Sequence, residues 1–188
     1  MLCALELAAQ SVTVFGSGEE ARRCATATDL AAKMHIAAQG DIEDCTFAIQ
    51  HGKLDRRDLA ATYSNRSIIK VASERYQEAF EDYRTAIKTI PELPEAYVGR
   101  GNVYFLSNKL DLAIEDYTKA MDLELREIHV ALLNRGMAYE AQGQLEKAEK
   151  DYRNALDLAP EWPLAQQKFD RVQAKRQASA LESDPNLN

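Results

Sequence analysis

The residues of this 188-residue chain whose types could do chemistry are few and poorly gathered. Its three histidines, His35, His51 and His129, stand far apart and form no His-x3-His or Cys-x2-Cys spacing of the kind that holds a metal. Gly99 and Gly101 make no phosphate-cradling loop and are explained by close helix packing. Acids are plentiful, yet Glu81-Asp82 and Glu115-Asp116 are expected on exposed helix faces, where adjacent carboxylates keep a helix solvated. Cys45 is expected inside a helical hairpin as a small core residue, not as a nucleophile. No catalytic residue, metal ligand or cofactor is assigned, and the chain reads as a non-enzyme.

Cys24 and Cys45 pose a redox question instead. With the first sixteen residues set aside they are an even pair, tolerable in an oxidising compartment and equally ordinary as two cytosolic thiols. With a turn at Gly40, Cys45 lies about five residues after it and Cys24 sixteen before it. In a straight hairpin that ~11-residue mismatch is ~16 Å at 1.5 Å per residue, beyond the ~7 Å Cα limit of a disulfide. Cys24–Cys45 is therefore a candidate disulfide on one condition: the helix must begin after Cys24, near Thr28-Asp29, with the preceding segment folded back.

The elements that position these residues announce themselves by repetition. The stretches Ser67 to Pro91, Gly101 to Leu125 and Gly136 to Pro160 share one pattern. A small residue (Ser67, Gly101, Gly136) is followed twelve residues later by an alanine (Ala79, Ala113, Ala148), then by a tyrosine (Tyr83, Tyr117, Tyr152) and a further alanine (Ala86, Ala120, Ala155). The copies are 34 and then 35 residues apart, a period that marks a helical array. Each copy holds two runs of helical periodicity joined by a short turn such as Ser73-Glu74-Arg75. The small residues are expected where the two helices of a hairpin approach closest, facing the alanines. The tyrosines fill the space toward the next hairpin, their hydroxyls reaching solvent. Arg66, Arg100 and Arg135 precede the small residues, and Asp82, Asp116 and Asp151 precede the tyrosines. The expected use of these charges is a ladder between neighbouring repeats, Asp82 to Arg100 and Asp116 to Arg135.

The small-x2-Tyr elements at Gly101/Tyr104 and Gly136/Tyr139, with the Ala-x3-Tyr-x2-Ala element in all three copies, resemble the tetratricopeptide repeat over about Leu59 to Trp162. The departures are Lys70 after Ser67, Leu125 in place of a closing proline, and an extra residue near Ile128 that should alter the stacking between the second and third copies. The resemblance implies an all-α, right-handed α-solenoid of antiparallel helix hairpins with a C-terminal capping helix. The expected organisation is an N-terminal segment 1–18, a degenerate first hairpin 19–58, three repeats within 59–162 (about 60–93, 94–128 and 129–162), a capping helix 163–180 and a disordered tail 181–188. In the cap, Leu164, Ala165, Phe169 and Val172 should face the last repeat, with Lys168, Arg171, Lys175 and Arg176 turned outward.

The resemblance also implies function: a concave groove lined by the first helix of each hairpin, taking a protein or peptide partner. Carried over by repeat position, its lining is Met34, Asn65, Ile68, Val98, Asn102, Phe105, Leu106, Leu133, Asn134 and Met137, with Leu30, Ser64, Val71 and Glu140 beside them. Chaperone-binding members grip a terminal carboxylate with Lys, Arg and Asn, but Ser64, Ile68 and Gly99 occupy the first three of those positions. That clamp is not expected. Self-association is the alternative use of the surface, giving a homo-oligomer that serves as an assembly or stability factor of the bacterial envelope. A regulatory part of an enzyme is a more remote one.

Bulk properties fit this picture. A net charge of −7 argues against nucleic acid, which demands clustered Lys and Arg. Met1 to Gly16 is too short and broken for a membrane span of about 20 apolar residues, and reads either as a signal-peptide remnant or as a terminal helix. The strings Asp44-Cys45-Thr46 to Gly52-Lys53-Leu54 and Leu59 to Arg66 resemble a bacterial repeat family often exported. That similarity favours a periplasmic over a cytoplasmic location.

Overall fold

The computed structural model describes residue 12, residues 18–34 and residues 37–182. Those residues form nine α-helices and no strand: α1 (Glu19–Met34), α2 (Gln39–His51), α3 (Arg56–Ala72), α4 (Tyr76–Thr89), α5 (Pro94–Leu106), α6 (Leu110–Asp122), α7 (Ile128–Ala141), α8 (Leu145–Leu158) and α9 (Pro163–Glu182). Consecutive pairs make antiparallel hairpins, and α9 packs on α8 and α7 as the cap. The described part of segment 181–188 is helical through Glu182, and 183–188 lies outside the described residues, as does most of segment 1–18.

Local chemistry explains where the helices start and stop. Asp55 caps α3 by accepting from the Asp58 N–H at 2.8 Å, and Pro94 opens α5 with its fixed φ. The turns inside the repeats are alike. Arg75 N–H donates to Lys70 O, Lys109 to Tyr104 O and Gln144 to Tyr139 O, with Glu74, Asn108 and Gly143 left-handed at φ 58°, 56° and 76°. This is the left-handed Schellman ending of a helix. The departure at Leu125 is the same device used between repeats. Glu124 turns left-handed at φ 58°, Leu125 N–H donates to Ala120 O at 3.3 Å, and the Leu125 side chain is buried. The other two repeats end instead without a left-handed residue, at Ile90 in an extended conformation and at Ala159 with φ −139° and ψ 75°, ahead of the following turn. The extra residue before α7 is thus spent on a left-handed turn that buries a leucine.

Packing within each hairpin centres on the tyrosines. A Cβ added to Gly101 would lie 2.7 Å from the Tyr117 ring, and one at Gly136 2.7 Å from Tyr152. The small residues therefore make room for the tyrosine of their own hairpin, not principally for the facing alanine. At Ser67 the alanine does meet the small residue, whose hydroxyl donates to Ala79 O at 3.1 Å. The tyrosine hydroxyls do not reach solvent as expected: Tyr117 donates to Asn102 Oδ1 at 2.9 Å and Tyr152 to Glu140 Oε2 at 2.9 Å. A phenol in a core needs such a partner, because an unpaired one costs about 1–3 kcal/mol. Burial pushes the pKa of all three tyrosines far up, so they stay neutral donors.

The charged residues also depart from expectation. The arginines pair within their own repeat: Arg66 with Asp82 at 2.7 Å, Arg100 with Asp116 at 2.8 Å and Arg135 with Asp151 at 2.7 Å. Each is a two-pronged bond from Nε and Nη2 to both carboxylate oxygens, and Lys70 adds a second cation on Asp82 at 2.6 Å. Asp82 and Asp116 are consequently buried instead of exposed. The ladder between repeats is made by threonines: Arg66 reaches Thr46 on α2 at 2.9 Å and Arg135 reaches Thr118 on α6 at 3.0 Å. Burial pushes the Asp116 carboxyl up, and Arg100 only partly offsets it. Such a pair directs the crossing of two helices more than it adds net stability.

The first hairpin is held differently. Cys24 and Cys45 are disulfide-bonded with Cα atoms 4.8 Å apart. The condition set on this bond does not hold, since α1 begins at Glu19 and contains Cys24. Gly40 is not the turn but lies in the first turn of α2, so the reversal falls between Met34 and Gln39. Cys24 is then ten residues before the end of α1 and Cys45 six after the start of α2. The mismatch shrinks to about 6 Å along a helix, which the crossing of the helices absorbs.

The cap also pins itself down with charge. Ala165 and Val172 are buried against the last repeat, with Leu164 and Phe169 half-buried. Lys168, expected outside, is buried. Arg171 and Lys175 reach back to Glu140 on α7, both at 2.7 Å, and Arg176 bonds Glu149 on α8. Burial alone would raise the Glu140 carboxyl, but the bonds from Arg171, Lys175 and Tyr152 outweigh it and hold the carboxyl below its usual value.

Candidate interaction groove

The first helices of successive hairpins touch: α1 packs on α3, α3 on α5, α5 on α7 and α7 on α9. The second helices meet mainly the first helix of the next hairpin, α2 on α3, α4 on α5 and α6 on α7. A stack whose first helices lie closer together than its second helices curves with the first helices inside. The α1–α3–α5–α7 layer is therefore the inner face.

The ten positions expected on that face sort by exposure. Met34 is exposed at the end of α1 and Leu30, one turn earlier, is exposed beside it. Phe105 and Leu106 are half-buried at the end of α5. Asn65, Ile68, Val98, Asn102, Leu133, Asn134 and Met137 are buried. Ile68 belongs to the core of the first two hairpins, Val98 to the middle one, and Leu133 and Met137 to the core under the cap. Sequence position identifies the face, but only burial separates side chains that hold the stack from those that present themselves.

Three of the buried positions are asparagines, and they are satisfied in two ways. Asn134 Nδ2 donates to Asn102 Oδ1 at 3.0 Å, the oxygen that also accepts the Tyr117 hydroxyl. That chain of bonds ties α7 to α5 and α6. Asn65 instead holds main chain. Its Oδ1 accepts from the Val12 N–H at 2.8 Å and its Nδ2 donates to the Val12 C=O at 2.8 Å. Asn65 is further seated by its own carbonyl, which accepts from Thr28 Oγ1 on α1 at 3.3 Å. Beside it, Ser64 Oγ is buried without a hydrogen-bond partner among the described residues. The Val12 contact was not legible in the sequence, because it spans 53 residues and has no periodicity to mark it.

Comparison with known proteins now decides the family. Tetratricopeptide repeat models match residues 94–124 and 129–161, and a further TPR-repeat model matches residues 69–108. The chain is a tetratricopeptide repeat protein. Among solved structures, it is similar to the first TPR of Spaghetti (RPAP3) bound to the HSP90 peptide SRMEEVD, at 28% identity and TM-score 0.59, over 64% of this chain and 93% of that one. The first TPR domain of human RPAP3 matches at 27% identity and TM-score 0.61, over 66% and 97% of the respective chains. The Arabidopsis OM64 TPR domain shares the fold at 23% identity and TM-score 0.61, over 64% and 99%. No curated protein matches the chain. Among the described residues no helix is long and apolar enough to cross a membrane, and no group of three His, Cys, Asp or Glu side chains could hold a metal ion.

Proposed function

We propose that this tetratricopeptide repeat protein is a non-enzymatic adaptor whose inner face takes an extended or helical segment of a partner protein. The observation that carries the reading is the state of that face. Its buried residues are committed to the stack, while Phe105 and Leu106 remain half-buried at the end of α5 and Leu30 and Met34 stand exposed on α1. Apolar groups on the inner side of a curved stack suit a partner that brings apolar side chains. The likeness to a TPR domain bound to a chaperone peptide supports a peptide-sized ligand. The chemistry of the inner face differs from a carboxylate grip, since Ser64, Ile68 and Gly99 stand where cationic and amide groups would be needed.

The test has two arms on the full chain. Fluorescence anisotropy with the SRMEEVD peptide should show no saturable binding. Affinity capture followed by mass spectrometry should yield partners that are lost on Phe105→Asp or Leu106→Asp and kept on Phe47→Asp, a change on the outer helix α2. A partner set indifferent to the α5 substitutions would remove the inner face from consideration. Light scattering of the same samples reports whether the occupant is a second copy.

A further inference from the structure

Asn65 bonds the main chain of Val12 in both directions, and that arrangement has the form of ligand capture. A side-chain amide that accepts from one N–H and donates to the C=O of the same residue reads backbone, not side chain. It sits on α3, in the inner layer, at the same place in its repeat as Asn134 in α7. Asn134, by contrast, is used up within the stack through Asn102. The Val12 side chain is itself buried and joins the apolar cluster that contains Ile68, Ala61 and the two bonded cysteines. We infer that Val12 is an internal ligand: its main chain occupies the Asn65 end of the groove in cis, and an incoming partner segment must displace it there. The occupant that fits has a free backbone N–H and C=O and a small apolar side chain, the chemistry Val12 supplies. This rests on the groove being the partner site, yet its test involves Asn65 and Val12 alone and leaves Phe105 and Leu106 untouched.

The experiment uses the 15N-labelled full chain. In the wild type, exchange of the Val12 amide should be slowed on the order of tenfold or more relative to an unprotected amide. In Asn65→Ala that protection should disappear while the amides of α5 to α8 keep theirs. Asn65→Asp, which keeps the acceptor and loses the donor, should fall between. A second arm needs no change in the helices. Val12→Pro removes the donated N–H, so a synthetic peptide of residues 7–17 should bind this variant in trans and bind wild type about tenfold more weakly. The double variant Val12→Pro/Asn65→Ala should not take it up. A Val12 amide exchanging at the unprotected rate in wild type would overturn the inference. So would a peptide that binds wild type as well as Val12→Pro, or one that binds neither.

Discussion

The first hairpin and the three that follow it solve the same problem, locking two antiparallel helices together, by opposite means. In α3–α8 the lock is repeated and non-covalent: a two-pronged arginine–aspartate pair joins the two helices of each hairpin, and in α5–α6 and α7–α8 a tyrosine ring lies over a glycine of the same hairpin. In α1–α2, at the register that sets Cys45 against Ala79, Ala48 stands in place of Asp82 and Ile49 in place of Tyr83. Neither the acid nor the ring is present. A disulfide supplies the constraint instead, and Asp44 only reaches Arg23 through an exposed pair. The difference teaches that a hairpin without the acid and the ring is locked by another kind of bond. The internal hairpins are confined by described helices on both sides, so weak, directional contacts suffice. The α1–α2 pair packs, among the described helices, on α3 alone, and is fixed by a bond that does not depend on packing.

The comparison breaks first if the disulfide is dispensable. Closing a loop over 21 residues of separation should contribute about 3 kcal/mol through the unfolded chain. Reduction, or Cys24→Ser with Cys45→Ser, should therefore cost about that much, and hydrogen exchange should place the loss in α1 and α2. Full retention of protection in α1 under reducing conditions would show that packing on α3 alone holds the hairpin.

The internal lock is probed by Asp151→Ala. It leaves Arg135 half-buried with Thr118 as its remaining polar contact, and removing one partner of a buried pair costs about 3 kcal/mol, less where the cation keeps some access to water. A loss of about 2 kcal/mol in urea unfolding is expected, with the melting spread through α5–α9 and α1 least affected. A double-mutant cycle with Arg135→Ala should recover coupling, whereas Asp116→Ala with Arg135→Ala should be additive. Coupling in the second cycle would restore a ladder between repeats.

Much of this was legible in the sequence, and the gaps have physical causes. Spacing of alanines, small residues and tyrosines places every helix of the regular repeats, because each hairpin must satisfy the same packing. The arginine–aspartate partner is not readable that way. Arg100 lies 16 residues from Asp116 and 18 from Asp82, and the choice between them belongs to the crossing of the helices. Gly40 misleads about the first turn because glycine is tolerated near a helix start as well as in a loop. Lys168 misleads because its whole side chain is buried in the packing of the cap, so a basic residue on an amphipathic helix is not thereby outward. On the first helices, repeat position singles out ten residues but carries no signal for the burial that takes seven of them into the stack.

A smaller effect tests the ring-over-small-residue contact. Gly136→Ala should gain up to about 1 kcal/mol of helix propensity but must move the Tyr152 ring, whose Cε1 would lie 2.7 Å from the new methyl. Overpacking of this kind costs about 1–3 kcal/mol, so a net loss of about 1 kcal/mol is expected, with the Tyr152–Glu140 bond disturbed. A neutral or stabilised variant would mean that glycine is kept for a reason other than the ring.

The smallest effect concerns the turns, where the regular repeats differ among themselves. Glu74 and Gly143 occupy the same left-handed position, at φ 58° and 76°. A side chain there costs roughly 1–2 kcal/mol against glycine, while glycine gives back part of that through its freer unfolded chain. Glu74→Gly should accordingly stabilise the first repeat by a few tenths of a kcal/mol to about 1 kcal/mol, measured as a shift in the urea midpoint with unchanged slope. The converse, Gly143→Glu, should cost a similar amount. Asymmetry between the two would locate an extra role in the Glu74 carboxylate itself, since the backbone change is the same in both.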